Sequence, residues 1–339
     1  MRRSRRLTAW LACLFSLASL PLAAQDAADA QARTQALVAF QRDLVSVLAP
    51  RADATPLLAA ALLARTLPDP PKFSDFHALI ERAAAAPGHG PAVDWVRLAD
   101  CDERAGDCPN AKALAALETE AADNAAVWLL KLGQDLRAGD TEAAHADLAR
   151  AASAKLYDDY TGASLQALAL NVGLLPPPTS VQYPGGGAAG IQVVLTFSLA
   201  SLQPQPVLPP VAKLCEDDAA VKDDCRRLGK LLEWGSSPLA RSLGLHLRET
   251  LDPDPAQQED ARRARRVLAW QVHSFANLTA RAPTDAKLAR DLLALAREGG
   301  TEMSLTLAAL RANGIPIEPP AAWQPSAQDA AQAPQASTR

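Results

Sequence analysis

The chain alternates between alanine- and leucine-rich segments, which carry most of its hydrophobic positions, and short polar breaks marked by proline, glycine or aspartate. Runs of β-branched residues are few, so intrinsic propensity favours helix over strand in those segments. The breaks supply start and stop signals. Thr55-Pro56 reads as an N-cap followed by proline at the first helical position, opening a helix over 57–66 that Pro68-Asp69-Pro70-Pro71 forbids to continue. Ser237-Pro238 repeats the start and Asp252-Pro253 the stop, framing a helix over 238–251. Further helices are predicted over 74–86, 157–171, 225–234 and 255–280. A hairpin over 286–310 turns at Gly299-Gly300, and Asn313-Gly314 with Pro316 closes its last helix. The expected fold class is all-α: stacked antiparallel helical hairpins, as a solenoid or as an irregular helical array.

One stretch breaks this rhythm. Pro176-Pro177-Pro178, Tyr183-Pro184 and Gly185-Gly186-Gly187 support neither helix nor strand interior. The apolar run 191–202 then reads as a short buried helix or a strand, and 203–210 is again punctuated by proline. A Pro/Gly-rich linker or long loop is therefore expected over 175–210, separating a helical-repeat region at 25–174 from a C-terminal helical region at 211–318. Residues 319–339, rich in Ala, Gln, Pro and Ser around Trp323, read as a disordered tail.

The first 24 residues change the picture of where the protein works. Arg2, Arg3, Arg5 and Arg6 precede an apolar run from Leu7 to Leu22, and Ala23-Ala24 leads into the polar Gln25-Asp26, the order of a Sec-type secretory signal peptide cleaved after Ala24. About 16 apolar residues fall short of the roughly 20 that span a bilayer, so no membrane span is expected. Export to the periplasm, or secretion, follows. Removal of the leader leaves 30 Lys and Arg against 38 Asp and Glu, a formal charge of −8. An acidic chain argues against nucleic acid and anionic membrane as partners. Four cysteines remain in what would be an oxidising compartment, and the sequence-local pairings Cys101–Cys108 and Cys215–Cys225 are expected. The second pair cannot sit in one continuous helix, because ten residues at about 1.5 Å each separate its ends by about 15 Å; a turn must interrupt 216–224.

Candidate chemistry is sparse. No Cys-x-x-Cys pair suggests a metal, and no nucleophile elbow, Ser-x-x-Lys, zincin, phosphate-loop or dinucleotide motif occurs, so neither catalytic residues nor a cofactor is assigned. Glu216, Asp217, Asp218, Asp223 and Asp224 lack the spacing and central glycine of a calcium loop and read as a solvated loop with a helix cap. The five histidines are scattered; His246 and Glu249, at i and i+3, read as a surface pair. Arg262, Arg263, Arg265 and Arg266 stand together near Trp270, with Glu259 and Asp260 placed to pair with the first two only.

Sliding the chain by 33 residues aligns Trp95 with Trp128, Ala105-Gly106-Asp107 with Ala138-Gly139-Asp140, and Ala111 with Ala144. Over about 92–155 the sequence resembles the tetratricopeptide repeat family, whose Trp, Gly and Ala positions these match, as do Leu148 and Ala151 in the second helix; Leu132-Gly133 lies one place later than the family's Leu-Gly pair. The resemblance implies hairpins in which Cys101 ends a first helix, Cys108 starts a second, and Ala111 or Ala144 allows close approach. It further implies a protein-binding scaffold with a groove lined by Val96, Asp100 and Glu103 in one unit and Leu129, Gly133 and Leu136 in the next. The family's basic and Asn clamp for a chain-terminal carboxylate is missing, so an unidentified protein or peptide partner would be held by apolar contact. Two other readings stand beside the scaffold: an enzyme whose closed pocket gathers remote acids or histidines, and a self-associating module with an exposed apolar patch.

Overall fold

The computed structural model describes residues 20–102 and 104–325, with side chains from residue 30 onward. The expected signal segment 1–24 lies outside these residues except for its last five, whose backbone is helical. Among the described residues the fold is all-α, with no strand. The helices are α1 (Leu20–Leu48), α2 (Ala54–Ala64), α3 (Phe76–Ala85), α4 (Pro91–Arg97), α5 (Ala111–Glu120), α6 (Ala125–Ala138), α7 (Thr141–Ser153) and α8 (Thr161–Asn171). They continue with α9 (Gly187–Ala200), α10 (Leu208–Asp217), α11 (Lys222–Leu232), α12 (Pro238–Leu251), α13 (Pro255–Arg281), α14 (Ala286–Glu298) and α15 (Glu302–Ala312). None is long and apolar enough to cross a membrane.

Side-chain caps explain many of the boundaries. Asp75, Asn110, Asn124, Asp140, Ser237, Asp254, Asp285 and Thr301 each accept a hydrogen bond from a backbone N–H of the turn they open. Ser237-Pro238 and Asp252 frame α12 as expected. At α2 the start moves two residues upstream, to an Asp53 N-cap, because Pro56 has no N–H to lose anywhere in a first turn.

The segment expected as a linker or long loop does not separate two regions; the short buried helix allowed at 191–202 forms and joins the core. This helix is α9, which buries Ile191, Val193, Leu195 and Leu199 and packs on α8 and α14. Its glycines serve close approach. A Cβ at Gly186 would stand 1.7 Å from the Pro283 carbonyl oxygen, and one at Gly190 2.3 Å from it, while the Ala286 N–H donates to the Gly185 carbonyl at 3.1 Å. Glycine here lets the start of α9 abut the α13–α14 corner.

The boundary between 25–174 and 211–318 does not divide the packing either. One core joins Leu44, Leu63, Ile80 and Leu168 with Leu292 and Leu310. A second joins Trp95, Leu117, Leu129 and Leu148 with Val211, Leu228 and Leu243. Each draws on both sides of α9, because apolar helix faces are covered by whichever helices the chain brings back to them. The last described residues are docked rather than loose: Trp323 packs edge-on against Trp270 with ring centroids 5.4 Å apart, and Arg266 donates to the carbonyls of Pro320, Ala321 and Trp323. The remainder of the expected tail lies outside the described residues.

Within 92–155 the chain forms the hairpins α4–α5 and α6–α7. Gly139 caps α6 with φ of 76°, and Ala144, Leu148 and Ala151 are fully buried on α7. The first hairpin departs from expectation. Its α4 stops at Arg97, so Cys101 and Cys108 both lie in the 98–110 connection rather than at helix ends, and Ala111 is exposed while Ala113 and Leu117 face inward.

Candidate functional site

The six residues expected to line a groove are not brought together. Val96 and Leu129 are completely buried, in different cores, and Gly133 is buried beside Leu129 on α6. Leu136 is partly buried against the second core. The reason is coverage: α10 packs on α6 and α11 on α7 over Leu129, whereas Val96 on α4 is sealed in the first core with residues of α2, α3, α8 and α14. Glu103 lies outside the described residues. Asp100 alone reaches an open concavity.

That concavity is an open cleft of about 930 Å³ between α3, the 98–110 connection, the start of α5 and Gln134 of α6. Among the described residues its side chains include His77, Glu81, Asp100, Asp102, Asp107 and Lys112. His77 and Glu81 share a face of α3 at i, i+4. The opposite wall is held by the Cys101–Cys108 disulfide, whose Cα atoms lie 5.2 Å apart. Asn110 fastens that wall at its base: its N–H donates to the Leu98 carbonyl, its Nδ2 donates to the Asp100 carbonyl at 2.7 Å, and its Oδ1 caps α5. Asp102 closes a turn by accepting from the N–H groups of Ala105 and Asp107 at its carbonyl. The acidic groups are thus presented on a cross-linked, hydrogen-bonded loop.

Ion pairs tie the cleft to the hairpin behind it. His77 Nδ1 lies 2.9 Å from Asp100 Oδ2; that hydrogen bond, then the charge of Asp100, raise the imidazole above its ordinary value. Arg97 Nε donates to Glu81 at 2.6 Å, and its guanidinium lies 3.4 Å from Asp94, a carboxylate only 3 % exposed. Burial pushes the Asp94 carboxyl up, and Arg97 opposes it.

A second group of acids is internal. Three segments meet at Ser236: its N–H donates to the Tyr157 carbonyl, its carbonyl accepts from the Met303 N–H, and its hydroxyl bonds Asp159. Asp159 is fully buried, and its Oδ1 also accepts from the Thr161 N–H at 3.3 Å. Glu302, at the start of α15, is pushed up to about 7 by burial and then by the charge of Asp159. It lines a space of only about 50 Å³ with Thr161, Phe197 and Phe275.

The remaining sequence candidates resolve into structure. Both disulfides have the expected pairing, and a single 3₁₀ turn at Ala219–Val221 breaks the chain between α10 and α11 so that Cys215 and Cys225 can meet. Asp218 caps that turn, and Asp217, Asp223 and Asp224 pair with Lys213, Arg226 and Arg227. His246 bonds Glu216 at 2.7 Å rather than Glu249, which instead takes Arg265 at 2.5 Å. Among the described residues, Arg262 and Arg263 pair with Glu259 and Asp260, Arg265 with Glu249, and Arg266 donates to carbonyls of the docked tail segment, so each of the four arginines is engaged. The cleft was not legible in sequence: its walls come from 77–81, 100–112 and 134, and no spacing rule links those segments. No protein-family model, curated protein or solved structure matches the chain, so the site stands on its own geometry.

Proposed function

We propose that the chain is an exported helical scaffold, working in the periplasm or outside the cell, that holds a positively charged segment of a partner protein in the cleft beside the Cys101–Cys108 loop. The observation that carries this reading is the pair of loop carboxylates in the cleft, Asp102 and Asp107, which stand beside Lys112 while Asp100 is engaged by His77 and Glu81 by Arg97. A cross-linked wall limits the ordering cost of binding. The basic n-region, the apolar run and Ala24 support export by a signal peptide, and two disulfides suit an oxidising compartment. The reading of 92–155 as divergent tetratricopeptide-like units rests on the matched Trp, Gly and Ala positions and on the α4–α5 and α6–α7 pairing of helices. Recognition is electrostatic rather than apolar, because Val96 and Leu129 are sealed in cores. The competing enzyme reading draws on Glu302 and Asp159, yet the space beside them is about 50 Å³, against at least about 300 Å³ for a typical ligand pocket.

Fluorescence anisotropy with a labelled Lys/Arg-rich peptide tests the proposal, using the mature protein and an Asp102→Asn/Asp107→Asn variant. Binding should weaken as salt is raised and fall about tenfold in the variant, as expected from two partly screened charge pairs. Equal binding by both proteins, or equal binding of an acidic peptide, would sink it.

A further inference from the structure

We propose that His89, Asp94 and Glu120 form a binding site for one divalent first-row transition ion, with Zn²⁺ the best match to its ligands. The three side chains offer one nitrogen and two carboxylate oxygens, all within 4.8 Å of one another. The fold brings them together because α4 and α5 are antiparallel: His89 precedes α4, Asp94 lies in its first turn, and Glu120 is the last residue of α5.

Three further features point to a cation. His89 Nδ1 lies 3.1 Å from the Ala86 carbonyl, which can only accept, so the neutral ring carries its proton there and leaves the Nε2 lone pair free. This is the second-shell arrangement that orients a ligating imidazole. That Nε2 faces Asp94 Oδ2 at 3.8 Å, too long for a direct hydrogen bond and close to the spacing of two ligands on a shared ion. With bonds of about 2.0–2.2 Å, tetrahedral ligands stand about 3.3–3.6 Å apart, so a small contraction suffices. His89, 29 % exposed, can close that gap, and the exposed Glu120 can close in from the other side.

Charge supports the same assignment. Asp94 is held in the interior with only the Arg97 guanidinium near its Oδ1, and Arg97 is shared with Glu81. Glu120 sits at the carbonyl end of α5, where the helix dipole disfavours an anion and favours a cation. Asp94 and Glu120 bring two carboxylates to the site, and the one guanidinium beside Asp94 is shared with Glu81, so a dication is the charge they lack. One imidazole and two carboxylates suit Zn²⁺ with water in the remaining position, whereas Mg²⁺ and Ca²⁺ take oxygen ligands. The bound ion would staple the α3–α4 corner to the far end of α5, away from the 98–110 loop.

Isothermal titration of ZnCl₂ into the untagged, chelator-treated mature protein tests this, with MgCl₂ as the comparison. Saturable binding of one Zn²⁺ per chain is expected, weakened about tenfold or more in both Glu120→Gln and His89→Gln and unchanged in His77→Gln. Zn²⁺ should also raise the Tm of the wild type and not of Glu120→Gln, whose exposed position leaves folding intact by circular dichroism. Absence of Zn²⁺ binding by the wild type would overturn the proposal. So would equal binding by wild type and Glu120→Gln, or Mg²⁺ binding as tight as Zn²⁺.

Discussion

Glu302 and Asp159 bring two carboxyl groups into an interior that excludes most water. Position favours charge on Glu302, since it opens α15 at the positive end of the helix dipole, an effect of about 0.3–1 kcal/mol. Burial and Asp159 outweigh that and push its carboxyl up to about 7 from an ordinary 4.5. The folded chain therefore binds a proton that the unfolded chain has already released across this interval. The contribution is most favourable below about 4.5 and is lost as pH rises to about 7, by roughly 1–3 kcal/mol once partial exposure to solvent is allowed for. Glu302→Gln should leave Tm unchanged near pH 4 and raise it by a few degrees at pH 8. Parallel Tm curves for variant and wild type across pH 4–8 would show that Glu302 is solvated like any surface acid. None of this was visible in sequence, because Glu302 reads as a helix-opening acid until Asp159 is folded beneath it.

At the scale of single elements, glycine has two different uses. Gly186 allows a backbone-to-backbone approach, and a methyl group 1.7 Å from the Pro283 oxygen must move α9 away from α14. Gly186→Ala should cost about 3 kcal/mol in urea unfolding, the upper end of what an overpacked core site costs. Gly106, with φ of 77° and open space around its Cα, needs only a left-handed backbone, and Gly106→Ala should cost about 1–2 kcal/mol. The disulfides act on the same scale. Each closes a short loop, and the chain-entropy estimate gives about 2–3 kcal/mol for each. Cys215→Ala/Cys225→Ala should lower stability by about that amount, measured without reductant; a loss near zero would mean that the α10–α11 turn is held by packing alone.

For the whole molecule, the consequential fact is that both main cores combine residues from either side of α9. Residues 25–174 expressed alone would leave Leu63, Leu129 and Leu168 without Leu228, Leu243, Leu292 and Leu310. That fragment should lack a cooperative thermal transition by circular dichroism, and adding 187–318 should restore one. A sharp transition for the fragment alone would show that the N-terminal helices form an independent domain.

Sequence alone determined what depends on neighbours along the chain. Ser237-Pro238 began α12, Asp252 ended it, Gly139 capped α6, and the spacing of Cys215 and Cys225 required a turn, because caps, stops and short cross-links are local chemistry. Scarcity of β-branched runs likewise fixed an all-α chain. Only the tertiary structure decided what covers each apolar face. Val96 and Leu129 have the pattern of groove residues, yet Val96 is sealed in the first core and Leu129 in the second, where α10 and α11 close over α6 and α7; the Pro/Gly stretch has the composition of a linker, and close packing on Pro283 made it a joint. The acidic cleft and the His89–Asp94–Glu120 group arise the same way, from a loop or helix end meeting residues far along the chain. Local signals are blind to such meetings, since burial and charge proximity are properties of the packed whole.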